Sequence, residues 1–187
     1  MVRGRRLGLK EVTRADAQLL ADWLGDEDFA GPFLDVWSVT AKQWEQMLSV
    51  PWPAAEAGLF LIRDSVTDEP LGLTGYFNPF TRPDLYKGLE LWVQVHPRFR
   101  ERGLAVETTC LLVNHLFTTL DVTRLQAFIT VGHDVSCRGA EAVGMQREGV
   151  CRGITSIRGH RADMYLYSLL RSDWVSEEVY RRNRHPF

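Results

Sequence analysis

Residues 87–105 read Lys87-Gly88-Leu89-Glu90-Leu91-Trp92-Val93-Gln94-Val95-His96-Pro97-Arg98-Phe99-Arg100-Glu101-Arg102-Gly103-Leu104-Ala105, and this stretch decides the fold. From Lys87 to His96 the residues alternate: Leu89, Leu91, Val93 and Val95 fall on one face, and Glu90, Trp92, Gln94 and His96 on the other. That period of two predicts a strand. Pro97 has no N–H for a ladder and ends it. After the charged turn Arg98 to Gly103, a helix is predicted from Leu104 to about Thr119, with Val106, Cys110, Val113, Phe117 and Leu120 on one stripe. The first N–H groups of such a helix are unpaired and lie at the positive end of its dipole. Gly103 lets the backbone approach a ligand where a Cβ would intrude, and Ala105 keeps the first turn slim. Arg98, Arg100 and Arg102 add positive charge. The combination is an anion site suited to phosphate or pyrophosphate. It lacks the Gly-Lys-Ser/Thr ending of a nucleoside-triphosphatase loop and the three spaced glycines of a dinucleotide fold, so neither class applies.

Working outward, Arg6 to Val12 reads as a first strand, and Thr13 opens a helix through Leu24. Thr40 opens a second helix with Trp44, Met47 and Leu48 facing inward. The irregular stretch between them, with Gly31, Pro32 and Trp37, suits a lid or substrate loop. Leu59 to Arg63 and Leu71 to Phe77 form a hairpin around a polar turn. Arg124 to Val131 is a strand, and Ser136 to Val143 is a short helix closed by Gly144. Met145 to Ile154 and Arg161 to Leu170 form the last hairpin. Strands and helices mixed in this order predict an α/β (α+β) domain, a sheet with helices packed on it.

The chain has 187 residues, 45% of them hydrophobic and 25% charged, enough for a core that needs neither disulfide nor metal. A net charge of −2 argues against nucleic acid or an anionic membrane as the main partner. No apolar run approaches the roughly 20 residues of a membrane span, and the beginning MVRGRRLGLKEV has no secretory apolar core. Three cysteines (Cys110, Cys137, Cys151) without close pairs, and five scattered histidines, predict no disulfide frame and no metal site. A cytoplasmic location follows as an expectation. Residues 175–187 are expected to be a peripheral basic tail.

At Val93 to Ala105 the chain resembles the GCN5-related N-acetyltransferases (GNAT), whose acyl-CoA signature, Arg/Gln-x-x-Gly-x-Gly/Ala after a strand, is matched by Arg100, Gly103 and Ala105. Ser136-Cys137-Arg138 with Glu141 to Gly149 is similar to the branch that includes the ribosomal-protein N-terminal acetyltransferases. So is the closing run Met164 to Trp174. The resemblance covers residues 5–174 and implies a GNAT domain: a mixed, mostly antiparallel sheet of about seven strands, splayed in the middle and flanked by helices. It implies transfer of an acetyl group from acetyl-CoA, as co-substrate and without a metal, to a primary amine. That acceptor is a protein N-terminus or a small molecule, and a homodimer is possible in this branch. The backbone of Arg100, Glu101, Arg102, Gly103, Leu104 and Ala105 would hold the pyrophosphate. Val93, Gln94 and Val95 would hold the pantetheine arm. Glu90 matches the glutamate that acts as base, and Ser136 the serine that acts as acid. The asparagine usual three residues before that serine is His133 here, and the glycine usual after the motif arginine is Glu101.

Other readings compete. Glu90 can be a solvated or ion-paired strand residue, and Ser136 can be a helix N-cap. The arginines can form a solvated face, since Glu101 alternates with them. Cys137 as a nucleophile has no accompanying base pattern. Trp37 and Trp52 can line an acceptor pocket or pack. At the level of function, a non-catalytic acyl-CoA-binding or regulatory module, or transfer of another acyl or aminoacyl group, uses the same scaffold.

Overall fold

The computed structural model describes residues 2–53, 55–79 and 87–174; the expected tail at 175–187 lies outside them. Among the described residues eight strands form one sheet: β1 (Val2–Arg3), β2 (Leu7–Glu11), β3 (Ala57–Asp64), β4 (Pro70–Phe77), β5 (Gly88–Val95), β6 (Arg124–Thr130), β7 (Gln146–Ile157) and β8 (His160–Leu170). Five α-helices accompany them there: α1 (Ala17–Leu24), α2 (Glu27–Ala30), α3 (Ala41–Met47), α4 (Leu104–Thr119) and α5 (Asp134–Val143). The strand beyond the expected seven is the two-residue β1, too short to show a period.

The sheet order is β1-β2-β3-β4-β5-β6-β8-β7. Every pairing is antiparallel except β5 with β6. Those two run parallel because α4 carries the chain back between them, as a parallel pair requires. The alternation expected in β5 holds without a bulge, since each step of its register against β4 advances by one residue on both strands. Leu89, Leu91 and Val95 join the core under α4 and α5, together with Leu111, Leu112 and Leu116. On the opposite face Trp92 packs against a second core built from Leu20, Leu24, Phe29, Trp44, Leu61 and Leu73.

Local signals explain most helix starts. The N–H and hydroxyl of Thr13 both donate to the Asp16 carboxylate at 2.8 Å. A 3-10 turn at Arg14–Asp16 then leads into α1. Thr40 and Gln43 form a reciprocal capping box on α3. In α3 only Trp44 is buried and Met47 is 44% exposed, which corrects the inward facing expected of it. α2 was not legible: four residues are too few to show a helical period. α4 is buried over a wider arc than the expected stripe, through Leu104, Thr108, Leu111 and Leu112. Its C-terminal end is held by Arg171, which donates to the carbonyls of Phe117, Leu120 and Val122.

Candidate active site

The pairing of β5 with β6 covers only Gly88↔Arg124, Leu89↔Leu125 and Glu90↔Gln126. Beyond that point β5 stays on β4 as far as Val95, and β6 stays on β8 as far as Thr130. The sheet therefore opens into a wedge whose vertex is Glu90 and Gln126. The N–H of His96 donates to Leu71 on the β4 side, and the Trp92 carbonyl accepts from Thr74 on that side at 2.7 Å. Strand alternation then turns the backbone groups of Leu91, Val93 and Val95 toward the wedge. Gln94 is turned the other way, and its side chain donates to the Phe29 carbonyl at 2.8 Å.

At the far end of β5 the chain makes a 3-10 turn over Pro97–Phe99, and α4 starts at Leu104. The N–H groups of Glu101, Arg102, Gly103, Leu104 and Ala105 meet no acceptor among the described residues. Five amides thus line one turn at the positive end of a 16-residue helix. Gly103 has φ +73° and Glu101 φ +64°, both left-handed. At Glu101 that conformation favours the glycine it replaces. Arg100 behaves differently from its neighbours. Its N–H closes the turn onto Pro97 at 3.3 Å. Its guanidinium donates to the carbonyls of Val95 at 3.1 Å and Phe29 at 2.7 Å. This arginine fastens the loop to β5 and α2 and presents no cation to the amides. Arg98 and Arg102 lie over the Phe99 ring, 5.4 and 5.6 Å from its centroid.

Sequence reasoning missed Arg6. It donates through Nε to Glu107 at 2.7 Å and through Nη1 to the Arg102 carbonyl at 3.3 Å, bringing a cation to the turn. No local signal could have found a contact across 96 residues.

Glu90 is half-buried at the vertex. Burial raises its carboxyl above the ordinary carboxylate range, and a hydrogen bond from the Gln126 side chain draws it partly back. Near the open end, Ser136 lies in the first turn of α5. The helix begins two residues earlier than expected, so its cap position is His133 and Ser136 is the third helical residue. The N-cap reading of Ser136 is thereby corrected. Its Oγ lies 3.3 Å from His133 Nε2. The His133 ring stacks on Phe33, with centroids 4.2 Å apart. Burial first, and then the Arg100 charge, lower the pKa of this imidazole, which favours its neutral form. Cys137 is half-buried, and the Tyr167 hydroxyl donates to Glu141 at 2.9 Å.

The β7–β8 hairpin overhangs the open end. The Arg158 N–H donates to Asp35 at 2.5 Å, and its guanidinium donates to the Gly31 carbonyl at 3.3 Å. Thr130, at the end of β6, donates to the Phe33 carbonyl at 3.1 Å. Trp37 stacks on Trp44 beside this loop, whereas Trp52 lines a cleft over β2 and β3 with Glu11, Val12 and Gly58. Among the described residues no three His, Cys, Asp or Glu side chains gather as a metal-binding group, and no helix is long and apolar enough to cross a membrane.

A mixed sheet parted at the one parallel pair among the described residues, with an amide-lined turn at the end of one arm, is the arrangement implied by the family that the sequence resembles. The solved structures agree in fold. A spermidine N-acetyltransferase from Vibrio cholerae in complex with CoA and spermine superposes with TM-score 0.79 at 15% identity, over 90% of this chain and 97% of that one. A ribosomal-protein-S5-alanine acetyltransferase from Vibrio fischeri gives TM-score 0.78 at 17% identity, over 92% and 97%. In sequence, the uncharacterized N-acetyltransferase p20 of Bacillus licheniformis is 26% identical over 176 residues, 91% of this chain and 96% of that protein. Residues 6–146 match the acetyltransferase (GNAT) domain, and the chain belongs to that family. It is an acyltransferase enzyme of a family that uses acetyl-CoA.

Proposed function

We propose that the chain transfers an acetyl group from acetyl-CoA to a primary amine, either a protein N-terminus or a small amine, by direct attack and without an acyl-enzyme. The reading rests on one observation: the five unpaired amides from Glu101 to Ala105 stand at the end of the β5 arm of a wedge whose vertex carries a half-buried carboxyl. In this reading the amides hold the pyrophosphate. The backbone of Val93 and Val95 pairs with the pantetheine arm as a missing strand would. The acyl carbonyl lies in the wedge, polarised by an N–H of β5. Gln94, Arg100 and His133 serve by holding the walls.

An amine attacks only when neutral. At pH 7 an α-amine is about a tenth neutral, and a lysine amine well under a thousandth. Glu90 takes the ammonium proton, directly or through water, and Ser136 gives a proton to the departing CoA thiolate. Neighbours of the same fold are named for spermidine and for a ribosomal-protein alanine, so both kinds of amine belong in the first screen. The proposal extends the domain over residues 5–174. It places the enzyme in a reducing cytoplasm, in keeping with cysteines that form no disulfide among the described residues. A homodimer stays part of the proposal, to be read from the mass in solution.

The test is acetyl-CoA consumption across a panel of alanyl and seryl peptides, polyamines and amino sugars. Turnover with at least one amine, lost in Glu90→Gln while CoA still binds, supports the reading. Binding of CoA with no turnover on any amine replaces it with a non-catalytic binding module.

A further inference from the structure

We propose that Gln126 is the positioning residue of the base, its amide aimed at Glu90 by a side-chain chain that runs across three strands. This deepens the reading of Glu90 as the base and rests on it. Gln126 is the last residue of β6 paired with β5, directly beside Glu90, and only 6% of it is exposed. Its carbonyl oxygen accepts from Arg124 Nε at 3.3 Å. A side-chain amide whose oxygen is occupied turns its NH2 the other way, and the β5–β6 pairing sets Glu90 directly beside Gln126 on the same face of the sheet. Arg124 cannot rotate freely either. Its two outer nitrogens grip the Glu148 carboxylate in a bidentate pair, at 2.7 and 2.6 Å. Glu148 in turn accepts from Ser168 Oγ at 2.6 Å. Ser168 is buried and sits opposite Gln126 in the β6–β8 ladder, so the chain of contacts closes on itself.

The consequence for chemistry is directional. A carboxyl at the vertex, half removed from water, has rotamers that point away from the wedge. An N–H donor fixed beside it favours both one rotamer and the ionised form. The charged groups on the elements around Glu90 are few. β6 brings Arg124, β7 brings Glu148, Lys87 precedes β5, and β4 presents Phe77 across the ladder. α2, with Asp26, Glu27 and Asp28, packs against the Gln94–His96 end of β5. Among the described residues Gln126 is thus the polar group through which the network reaches the base.

The experiment follows the Glu90 carboxyl carbon by NMR titration of the full chain, assigned by its loss in Glu90→Gln. The pH profile of kcat/KM with acetyl-CoA and an alanyl peptide or spermidine runs in parallel. In Gln126→Leu the Glu90 titration and the acid limb of the rate should both move up by about one pH unit. In Gln126→Glu, which keeps the shape, a second carboxyl beside the first should move the limb at least as far. Glu148→Gln, which loosens Arg124, should move it in the same direction by less. If Glu90→Gln is inactive while neither Gln126 variant moves the titration or the limb, the role of Gln126 is refuted and Glu90 survives as base. If Glu90→Gln turns over like the parent chain, both fall together. Loss of folding in Gln126→Leu leaves Gln126→Glu to decide.

Discussion

Ser136 Oγ lies 3.3 Å from His133 Nε2, one helical turn apart at the start of α5. The imidazole is flat against Phe33, and burial favours its neutral form, which can exchange a hydrogen bond with the hydroxyl without adding a charge. If Ser136 protonates the departing thiolate, Ser136→Ala should lower kcat by about 100-fold or more. His133→Ala should lower it by less and leave the KM for acetyl-CoA nearly unchanged. Stopped-flow release of free CoA thiol at saturating amine measures both. An unchanged kcat in Ser136→Ala would return that residue to a packing role.

Glu90 carries a sign that a melting experiment can read. Its folded pKa lies above the ordinary value of 4.5 because of burial. The unfolded chain therefore ionises this group more easily, and the ionised carboxylate costs stability at neutral pH. Glu90→Gln should melt higher than the parent chain at pH 8. The gain should shrink as pH falls through the folded pKa and vanish below about 4.5, where both states are protonated. A variant that melts lower at pH 8 would contradict the burial argument.

Glu148 has the opposite sign. Arg124 and Ser168 hold its pKa at about 2. Its ionised form stabilises the fold above about pH 4.5, and that contribution is lost as pH falls toward about 2. Glu148→Gln should melt lower at pH 7 and converge with the parent chain in acid. Thermal scans from pH 2.5 to pH 7 would show whether the two curves meet.

At Glu101 a left-handed φ of +64° is borne by a side chain with a Cβ. Glu101→Gly should leave stability unchanged or raise it by up to about 1 kcal/mol, because relief of the left-handed strain opposes the entropy of the added glycine. It also removes a carboxylate from a turn built of amides, so the Kd for CoA should fall. Calorimetric titration with CoA at low and high salt separates the charge from the conformation. Weaker binding in Glu101→Gly would mean that the carboxylate itself takes part.

Gly72 stands opposite Val95, where the wedge begins to face the turn. A Cβ on Gly72 would lie 2.3 Å from the Gln94 carbonyl oxygen and 2.9 Å from Val95 Cα, both backbone. Gly72→Ala should therefore cost about 1–3 kcal/mol and raise the KM for acetyl-CoA by shifting β5. Denaturant midpoints and steady-state kinetics test the two effects. Wild-type values for both would show that the strands can part without harm.

The stretch at residues 87–105 was readable because each feature was local. A period of two, a proline stop, a glycine at a helix start and a run of slim residues require no knowledge of distant chain. β5 and α4 follow that reading closely. The wedge was legible only through the family resemblance, since strand pairing depends on contacts that no local pattern encodes. Arg6 against Glu107, Arg124 against Glu148 and Arg158 against Asp35 were invisible for the same reason. The start of α5 was misplaced because Asp134, an ordinary first-turn acid, carries no period of its own, while Ser136 looked like a cap. The guanidinium of Arg100 shows the limit of counting charges: a cation near a predicted anion site turned out to face three carbonyls.

The loop from Gly31 to Asp35 touches Thr130 on one arm of the sheet and Arg158 on the hairpin that continues the same arm, while α2 just before it is fastened to the other arm through Phe29. The two arms are therefore tied at both ends, and the opening is an eyelet, not a jaw. On the proposed reading, a frame closed in this way favours an amine at the tip of a slack chain, such as an unstructured N-terminus or an unbranched polyamine, over a lysine on a rigid folded surface.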